Sequence, residues 1–342
     1  MIPAALPLAV TQGEPSGIGP EIALKAWLQR SEAGVPPFFV IGDPALLETT
    51  AQALGWSVPV ETVSPTDASE VFGRALPVLP LSAKVSAIPG RPDPKTAPAT
   101  LESIDTAVAL TKQGLAGGIV TNPIAKHVLY AAGFRHPGHT EYLAALSSEA
   151  GGTPPHPVMM LWSEGLAVVP VTVHIPIKDV PRAVSTELIV RTARIVTRDL
   201  RDRFGLSRPR LAVAGLNPHA GENATLGTED RDLIAPAIAQ LQAEGLSVVG
   251  PLPADTMFHA EARATYDAAL AMYHDQALVP IKTIAFDEAV NVTLGLPFVR
   301  TSPDHGTAFD IAGKGIARPD SLIAALRLAA RLARTAASAA AA

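Results

Sequence analysis

Three histidines stand where predicted strands end: His174 after VVPVTV, His219 after LAVAGLNP and His274 after ALAMY. The chain has no cysteine, so a metal site would have to use His, Asp or Glu. Neutral imidazoles suit Zn²⁺, Co²⁺ or Fe²⁺ better than Mg²⁺, and a three-histidine site with an open position can acidify a substrate hydroxyl. Each histidine taken alone could instead be a core or capping residue. The separation of the three along the sequence does not give the distances between them in the folded protein.

A glycine-rich segment, GEPSGIGPE at 13–21, follows the first predicted strand. Pro20 suits the first position of a helix, where free N–H groups attract anions. The segment therefore predicts either a cradle for a substrate phosphate or a structural strand–helix turn. A short-chain dehydrogenase is excluded, because none of the four tyrosines has a lysine four residues on, and neither a Walker A nor a GxGxxG motif is present.

Two further groups of polar residues could bind a substrate. The segment HPGHTE at 136–141 combines two histidines, a hydroxyl and a carboxylate, and predicts either a helix N-cap at Thr140 or a catalytic loop. Lys282, Asn291 and Arg300 follow in a largely apolar region. A lone cation is usually a solvated surface charge, but among apolar strand-like residues it more often faces an anionic ligand, because a buried unpaired charge is costly.

The elements that position these residues follow an alternating pattern. The chain has 342 residues, 48% of them hydrophobic, which suggests about two domains with large cores. Continuous apolar runs alternate with longer Ala/Leu-rich segments, which predicts an α/β protein with a mainly parallel sheet. Ligands of such sheets bind beyond the carboxyl ends of the strands, so five polar strand ends are expected to form one rim.

Charge and hydropathy exclude several classes of partner. The 27 basic and 32 acidic residues give a net charge of −5, so no basic excess is present to bind nucleic acid or an anionic membrane. The start, MIPAALPLAV, lacks the basic region of a signal peptide, and no run approaches the ~18 apolar residues of a membrane helix. We expect a cytoplasmic protein.

Seven segments together carry a resemblance that covers essentially the whole chain. The segments are TQGEPSGIGPEI, TNPIAKHVLYAAGFRHPGHTEYLA, VHIPIKDV, GLNPHAGENATLGTED, GPLPADTMF, YHDQALVPIK and TSPDHGTAFDIAGKG. They resemble the PdxA family, the NAD-dependent 4-hydroxythreonine-4-phosphate dehydrogenases of pyridoxal 5′-phosphate (vitamin B6) biosynthesis. The last segment also resembles the adenine-ribose loop of isocitrate and isopropylmalate dehydrogenases, which bind their cofactor without GxGxxG.

The resemblance implies a fold and a set of site residues. The fold is that of the isocitrate and isopropylmalate dehydrogenases: two α/β domains, 1–130 plus 285–342 and 131–284, with a mainly parallel sheet and an interdomain cleft. One divalent metal (Zn, Co or Mg) is expected per active site, with ligands from both subunits of a homodimer, and the cofactor is NAD or NADP. The implied metal ligands are His174, His219 and His274; the substrate contacts are His139, Thr140, Lys282, Asn291 and Arg300, with His139 and Lys282 catalytic; the cofactor contacts are Asp304, His305, Gly306, Thr307 and Asp310.

The implied reaction is oxidation of 4-phosphohydroxy-L-threonine to 2-amino-3-oxo-4-(phosphooxy)butanoate, which decarboxylates to 3-amino-2-oxopropyl phosphate. A paralogous D-threonate or D-erythronate 4-phosphate dehydrogenase would use the same fold, metal and cofactor. A phosphate acyltransferase of related fold would not need three metal-binding histidines. A non-catalytic binding protein is disfavoured by the density of ionisable groups at the strand ends.

Overall fold

The computed structural model describes residues 6–148 and 152–341. Its contacts divide the chain into two compact units: a first unit of Met1–Pro157 with Leu296–Arg334, and a second unit of Val158–Gly295 with Thr335–Ala342. The predicted domains place residues 131–157, 285–295 and 335–342 on the other side of this division. The predicted domain boundaries remain a prediction, because these contacts do not test which segments behave as separate domains.

The first unit is a parallel sheet with helices. Its six strands lie in the order β3-β4-β2-β1-β5-β12, and every neighbouring pair is parallel. The strands are β1 (Leu8–Thr11), β2 (Phe38–Gly42), β3 (Val60–Thr62), β4 (Leu76–Pro80), β5 (Ile119–Thr121) and β12 (Arg300–Pro303). The helices are α1 (Gly19–Leu28), α2 (Pro44–Ala53), α3 (Ala68–Val71), α4 (Ala97–Lys112), α5 (Lys126–Ala131), α6 (His139–Ser147) and α12 (Asp320–Ala341), the last grouped with this unit through Arg334.

The second unit has a mixed sheet. Its order is β11-β6-β7-β10-β8-β9, in which the two pairs that involve β6 are antiparallel and the other three are parallel. The strands are β6 (Val158–Ser163), β7 (Leu166–Pro170), β8 (Arg210–Ala214), β9 (Ser247–Leu252), β10 (Ala268–Ala271) and β11 (Val290–Leu294). The helices are α7 (Val180–Ala183), α8 (Thr186–Asp202), α9 (Ala235–Ala243), α10 (Ala260–Arg263) and α11 (His274–Ala285).

Local sequence explains these elements. The central strands β1 and β2 are buried at every position, as expected for parallel strands covered on both faces. Helix α8 begins after Ser185, whose hydroxyl accepts a hydrogen bond from Leu188 N, and it buries one apolar stripe against its unit. Each unit has its own apolar core, centred on Phe39, Ile41 and Ile104 in the first and on Leu161, Val168 and Ile281 in the second.

These observations confirm the predicted α/β class with its largely parallel strands. Three predicted strands end earlier than expected, because β7 stops at Pro170, β8 stops at Ala214 and β10 stops at Ala271. His174 has a left-handed backbone (φ 51°), which no strand accommodates, and His274 is the first residue of α11. Across residues 6–148 and 152–341, no helix combines the length and the apolar character needed to cross a bilayer.

Candidate active site

The glycine-rich turn (Thr11–Gly19) leads from β1 into α1 and is buried along its whole length. A Cβ at Gly13 (φ 72°) would lie 2.7 Å from Asn122 Cβ, and one at Gly17 would lie 2.9 Å from Thr307 O. The glycines are therefore required by close backbone approach. Burial raises the pKa of the Glu14 carboxyl in the same turn, although the Ser16 amide donates to it. Enclosure and the nearby carboxyl both favour the structural alternative over a phosphate cradle. Pro20 is the second residue of the helix rather than the first.

The loop expected to face the cofactor is held by this turn and by α1. Ile18 N donates to Thr307 O at 3.0 Å. The buried Glu21 carboxylate accepts from Gly313 N and Ala317 N, each at 3.1 Å. Of the five residues predicted to contact the cofactor, Gly306 and Asp310 are exposed and Asp304, His305 and Thr307 are half-buried. The loop is thus well anchored in the first unit, while its cofactor contacts stay a prediction.

His139 begins α6, with the extended Gly138 before it. The predicted N-cap at Thr140 is wrong, because Thr140 is the second residue of the helix and no side chain caps it. An aromatic cluster fixes the segment on either side: the ring of Phe134 lies 5.0 Å from that of Tyr142 and 5.3 Å from that of His136. Burial raises the Tyr142 pKa, and the hydrogen bond that the Tyr142 hydroxyl donates to the Asp105 carboxylate on α4 raises it further.

Two cations act on His139 within the first unit. Burial, followed by the charges of Arg300 and Lys126, holds the pKa of His139 well below 6.5, so the imidazole is neutral at pH 7. Arg300 is only 4% exposed, donates to Thr121 Oγ1 at 2.6 Å and stays protonated at neutral pH, since burial lowers its pKa only to about 10. A neutral imidazole beside two cations suits a phosphate or carboxylate that also needs a proton acceptor nearby.

Polar atoms at the carboxyl ends of β1 and β5 are left unsatisfied. The Nε2 of Gln12 and the Oδ1 of Asn122 are buried and have no hydrogen-bond partner among the described residues, and neither has the Nε2 of His139. Gln12 Oε1 accepts from Asp43 N, and Asn122 Nδ2 donates to Thr11 O, so both amide orientations are fixed by bonds. These strand ends are where a ligand of an open α/β sheet binds.

In the second unit, the three predicted metal ligands follow three neighbouring strands. The order β7-β10-β8 places His174, His274 and His219 beyond adjacent parallel strands. The His174 and His274 rings lie 5.4 Å apart and line one pocket of about 220 Å³, together with Thr172, Tyr273 and Asp275. That volume suits an ion with its water but falls below the ~300–1,000 Å³ of a small-molecule site.

His219 lies in an unusual backbone segment. The left-handed turn (His219–Ala224) has positive φ at all six residues, and only Gly221 is a glycine. The buried Asp230 carboxylate holds its approach by accepting from Leu216 N at 2.8 Å and from both the backbone and the side-chain amide of Asn217. Such strain persists only where the surrounding structure imposes it, and it concentrates at functional sites.

The three histidines are chemically suitable metal ligands, but the described part of the chain does not bring them together as a complete metal site. His274 Nδ1 lies 2.7 Å from Asp275 Oδ1, the carboxylate contact that commonly orients a ligating imidazole through its other nitrogen. Within the described part of the chain, no three His, Asp or Glu side chains are grouped so as to hold a metal ion. This is compatible with the ligand set drawn from two subunits that the sequence resemblance implies.

The remaining predicted substrate contacts lie on regular elements. Lys282 is in the last turn of α11, with its Nζ 5.0 Å from the Phe286 ring centre, and not in a strand-like stretch as expected. Asn291 is half-buried in β11, and Arg300 opens β12. Sequence reasoning did not single out Lys126 or Asp230. The sequence places Gln276, two residues after His274, among the polar residues that follow a predicted strand, but it gives Gln276 no role of its own.

Known proteins resemble this chain along most of its length. The sequence model of the pyridoxal phosphate biosynthetic protein PdxA matches residues 35–329. The chain belongs to the PdxA family. A curated relative, the 4-hydroxythreonine-4-phosphate dehydrogenase of Methylorubrum populi, is 69% identical over 330 residues, which cover 96% of this chain and 95% of the relative. The PdxA resemblance expected from the seven segments is thus confirmed.

Solved structures agree with this membership. A crystal structure of 4-hydroxythreonine-4-phosphate dehydrogenase from Klebsiella pneumoniae superimposes with a TM-score of 0.84 at 36% identity and covers 96% of this chain and 100% of that one. A branched-chain phosphotransacylase from Enterococcus faecalis gives a TM-score of 0.55 at 14% identity, covering 96% and 99%. The second likeness concerns the fold alone and says nothing about acyl transfer by this PdxA-family chain.

Proposed function

We propose that this protein is an NAD-dependent dehydrogenase that oxidises 4-phosphohydroxy-L-threonine in vitamin B6 biosynthesis. The observation that carries the proposal is the 69% identity, over nearly the whole of both chains, to a relative named 4-hydroxythreonine-4-phosphate dehydrogenase. NAD held by the loop at Asp304–Asp310 would supply the acceptor for the hydride that leaves C3 of the substrate, and a base on this chain takes the C3 hydroxyl proton, which leaves a ketone. The resulting β-keto acid, 2-amino-3-oxo-4-(phosphooxy)butanoate, then loses CO₂ to give 3-amino-2-oxopropyl phosphate.

The residues of the first unit supply binding and proton transfer in this proposal. Arg300 and Lys126 attract the anionic substrate, and Thr140 contacts it from the first turn of α6. His139, held neutral by burial and by the two cations, is the candidate proton acceptor. The loop with Asp304, His305, Gly306, Thr307 and Asp310 binds the NAD; the same contacts would serve NADP.

The residues of the second unit supply charge stabilisation. Lys282 and Asn291 contact the substrate, and the ammonium of Lys282 stabilises carboxylate or enolate charge as CO₂ leaves. A divalent metal (Zn, Co or Mg) held by His174, His219 and His274 would supply Lewis-acid polarisation of the substrate hydroxyl. We include in the proposal a homodimer whose subunits share the metal ligands, and a cytoplasmic location.

The test follows NADH at 340 nm after metal has been removed and then Zn²⁺, Co²⁺ or Mg²⁺ restored. Metal-dependent turnover of 4-phosphohydroxy-L-threonine is the expected result. Turnover of D-threonate 4-phosphate alone would move the protein to the paralogous pathway. No turnover of either, by protein that binds metal and NAD, would overturn the substrate assignment. Mixing inactive single variants of His174, His219 and His274 in pairs tests the shared site, because a pair of ligands that come from different subunits should recover part of the activity.

A further inference from the structure

Regular pairing of the strands β7, β10 and β8 ends just before the segments that carry the three histidines. Backbone pairing ends at Pro170 with Ala271 on one side and at Val213 with Leu270 on the other. Val171 N still donates to Ala271 O, and Thr172 N reaches Met272 O at 3.2 Å. Beyond this point the polar backbone groups of β8 and β10 need partners other than each other.

Side chains supply those partners in one continuous series. Thr172 Oγ1 donates to Met272 O at 2.7 Å. Met272 N donates to Gln276 Oε1 at 2.6 Å, and Gln276 Nε2 donates to Gly215 O at 2.7 Å. We call this series the Thr172–Gly215 hydrogen-bond chain. Thr172 is 6% exposed, Met272 is fully buried and Gly215 is buried, so water does not replace these bonds.

The Gln276 amide therefore acts as an inserted peptide unit between β10 and β8. It accepts from the segment after β10 and donates to the segment after β8, as a backbone amide does in a sheet, at the place where their direct pairing has ended. Both of its bonds use a single planar group, so they fix a distance as well as an orientation.

Each anchored residue stands a short step before a histidine. His174 follows Thr172 by two residues, His274 follows Met272 by two, and His219 follows Gly215 by four. The left-handed turn after Gly215 is held on its other side by Asp230, so this segment has little freedom left. The spacing of the three histidine-bearing segments is thus set by the hydrogen-bond chain at their bases.

We propose that Gln276, assisted by Thr172, is a positioning residue that holds in place the segments bearing His174, His219 and His274, so that each subunit presents its own ligands correctly to the shared metal site. The inference rests on the proposed function, in which these histidines hold a divalent metal. Gln276 contacts none of the reacting groups in this proposal; it acts through the backbone of Met272 and Gly215. Outer residues that orient metal ligands typically change affinity 10–100-fold when they are replaced.

The test measures Co²⁺ binding to the full-length protein by calorimetry and by the visible absorption of bound Co²⁺, without substrate or NAD. Gln276→Leu removes both bonds at similar volume and is expected to weaken Co²⁺ binding about 10–100-fold. The matched control is Gln242→Leu, which removes a side-chain bond of 2.8 Å to Val248 O in the same unit, far along the chain from any of the histidine bases. Its Co²⁺ affinity should stay within about twofold of wild type.

A second pair of variants decides the question if Gln276→Leu does not fold. Thr172→Val removes the hydroxyl but leaves the backbone bond to Met272 O, so a loss of a few-fold is expected; Thr172→Ser should restore binding. Wild-type affinity in both Gln276→Leu and Thr172→Val would overturn the inference and leave the proposed function standing. Failure of the wild-type protein to bind Co²⁺ would overturn the proposed metal site, and this inference with it.

Discussion

Two turns leave buried parallel strands in this protein, and they are built in opposite ways. The glycine-rich turn after β1 has one positive φ, at Gly13, and is enclosed by its own backbone neighbours. The left-handed turn after β8 has six, five of them at residues with side chains. A left-handed L-residue costs roughly 1–2 kcal/mol. Glycine thus occurs where two backbone segments approach each other closely. In the left-handed turn, residues with side chains are retained despite the strain in their backbone, as expected where a side chain such as that of His219 has a predicted function.

The largest effect is expected at Gly13, in the crowded glycine-rich turn. Gly13→Ala would place a methyl 2.7 Å from Asn122 Cβ and from Pro123 O at a φ of 72°. We expect the free energy of unfolding to fall by about 3 kcal/mol or more, from the clash and the strained φ together. Gly34→Ala is the control, because its φ is also positive but no atom lies within 4 Å; it should cost about 1 kcal/mol. Equal losses in chemical denaturation would show that crowding is not the constraint.

The next effect concerns what holds the left-handed turn. Asp230→Asn puts its NH₂ group against the N–H donor of Leu216 or against those of Asn217, according to the amide orientation, and should cost about 2 kcal/mol, because one buried acceptor is lost. Asp232→Asn, at an exposed carboxylate paired with Arg231, should leave the free energy of unfolding nearly unchanged, because exposed ion pairs contribute little. Thermal unfolding of both variants measures the difference. A milder result for Asp230→Asn than for Asp232→Asn would contradict the assigned role.

A smaller effect concerns the His139 pKa and the pH dependence of stability in the first unit. Lys126→Met removes one of the charges that depress the His139 pKa, so that pKa should move up toward 6.5. In wild type the unfolded chain takes up a proton at His139 below pH 6.5 and the folded protein does not, so stability falls on acidification. The variant should lose less stability there. Histidine ring NMR titration reads the pKa directly, with Lys112→Met on α4 as the control. An unmoved His139 pKa would remove Lys126 from the site.

The smallest effect is expected at Ala224, where a substitution would relieve backbone strain in the left-handed turn. Ala224 has a φ of 70°, which glycine adopts freely, so Ala224→Gly should stabilise the protein by about 0.5–1 kcal/mol. The same change at Ala264, which ends α10 with ordinary right-handed φ, should instead be neutral or destabilising. Denaturation midpoints of the two variants compare them. A loss of stability at Ala224 would mean that the side chain, and not the backbone, sets its energy.

Sequence alone gave the fold class, the family and the strand ends near which polar residues gather. Hydrophobic runs report strands because burial on both faces demands them, as in β1 and β2. The exact ends of β7 and β10 were missed, because the left-handed φ of His174 and the start of α11 at His274 leave no hydrophobic signal. Asp230 and Lys126 were missed for a related reason: their partners, the Leu216 amide and His139, are distant in sequence and are joined only by tertiary structure.

The discontinuous first unit has a consequence for protein synthesis. Its strand β5 is bonded to β12, and Arg300 and Thr121 are 179 residues apart. At about 5–20 residues per second, a ribosome needs roughly 10–35 s to make that interval. During this time Ile119–Thr121 has an unpaired edge, which is the kind of surface that pairs with other chains. Nascent chains that stop before residue 300 should therefore need a chaperone that the finished protein does not.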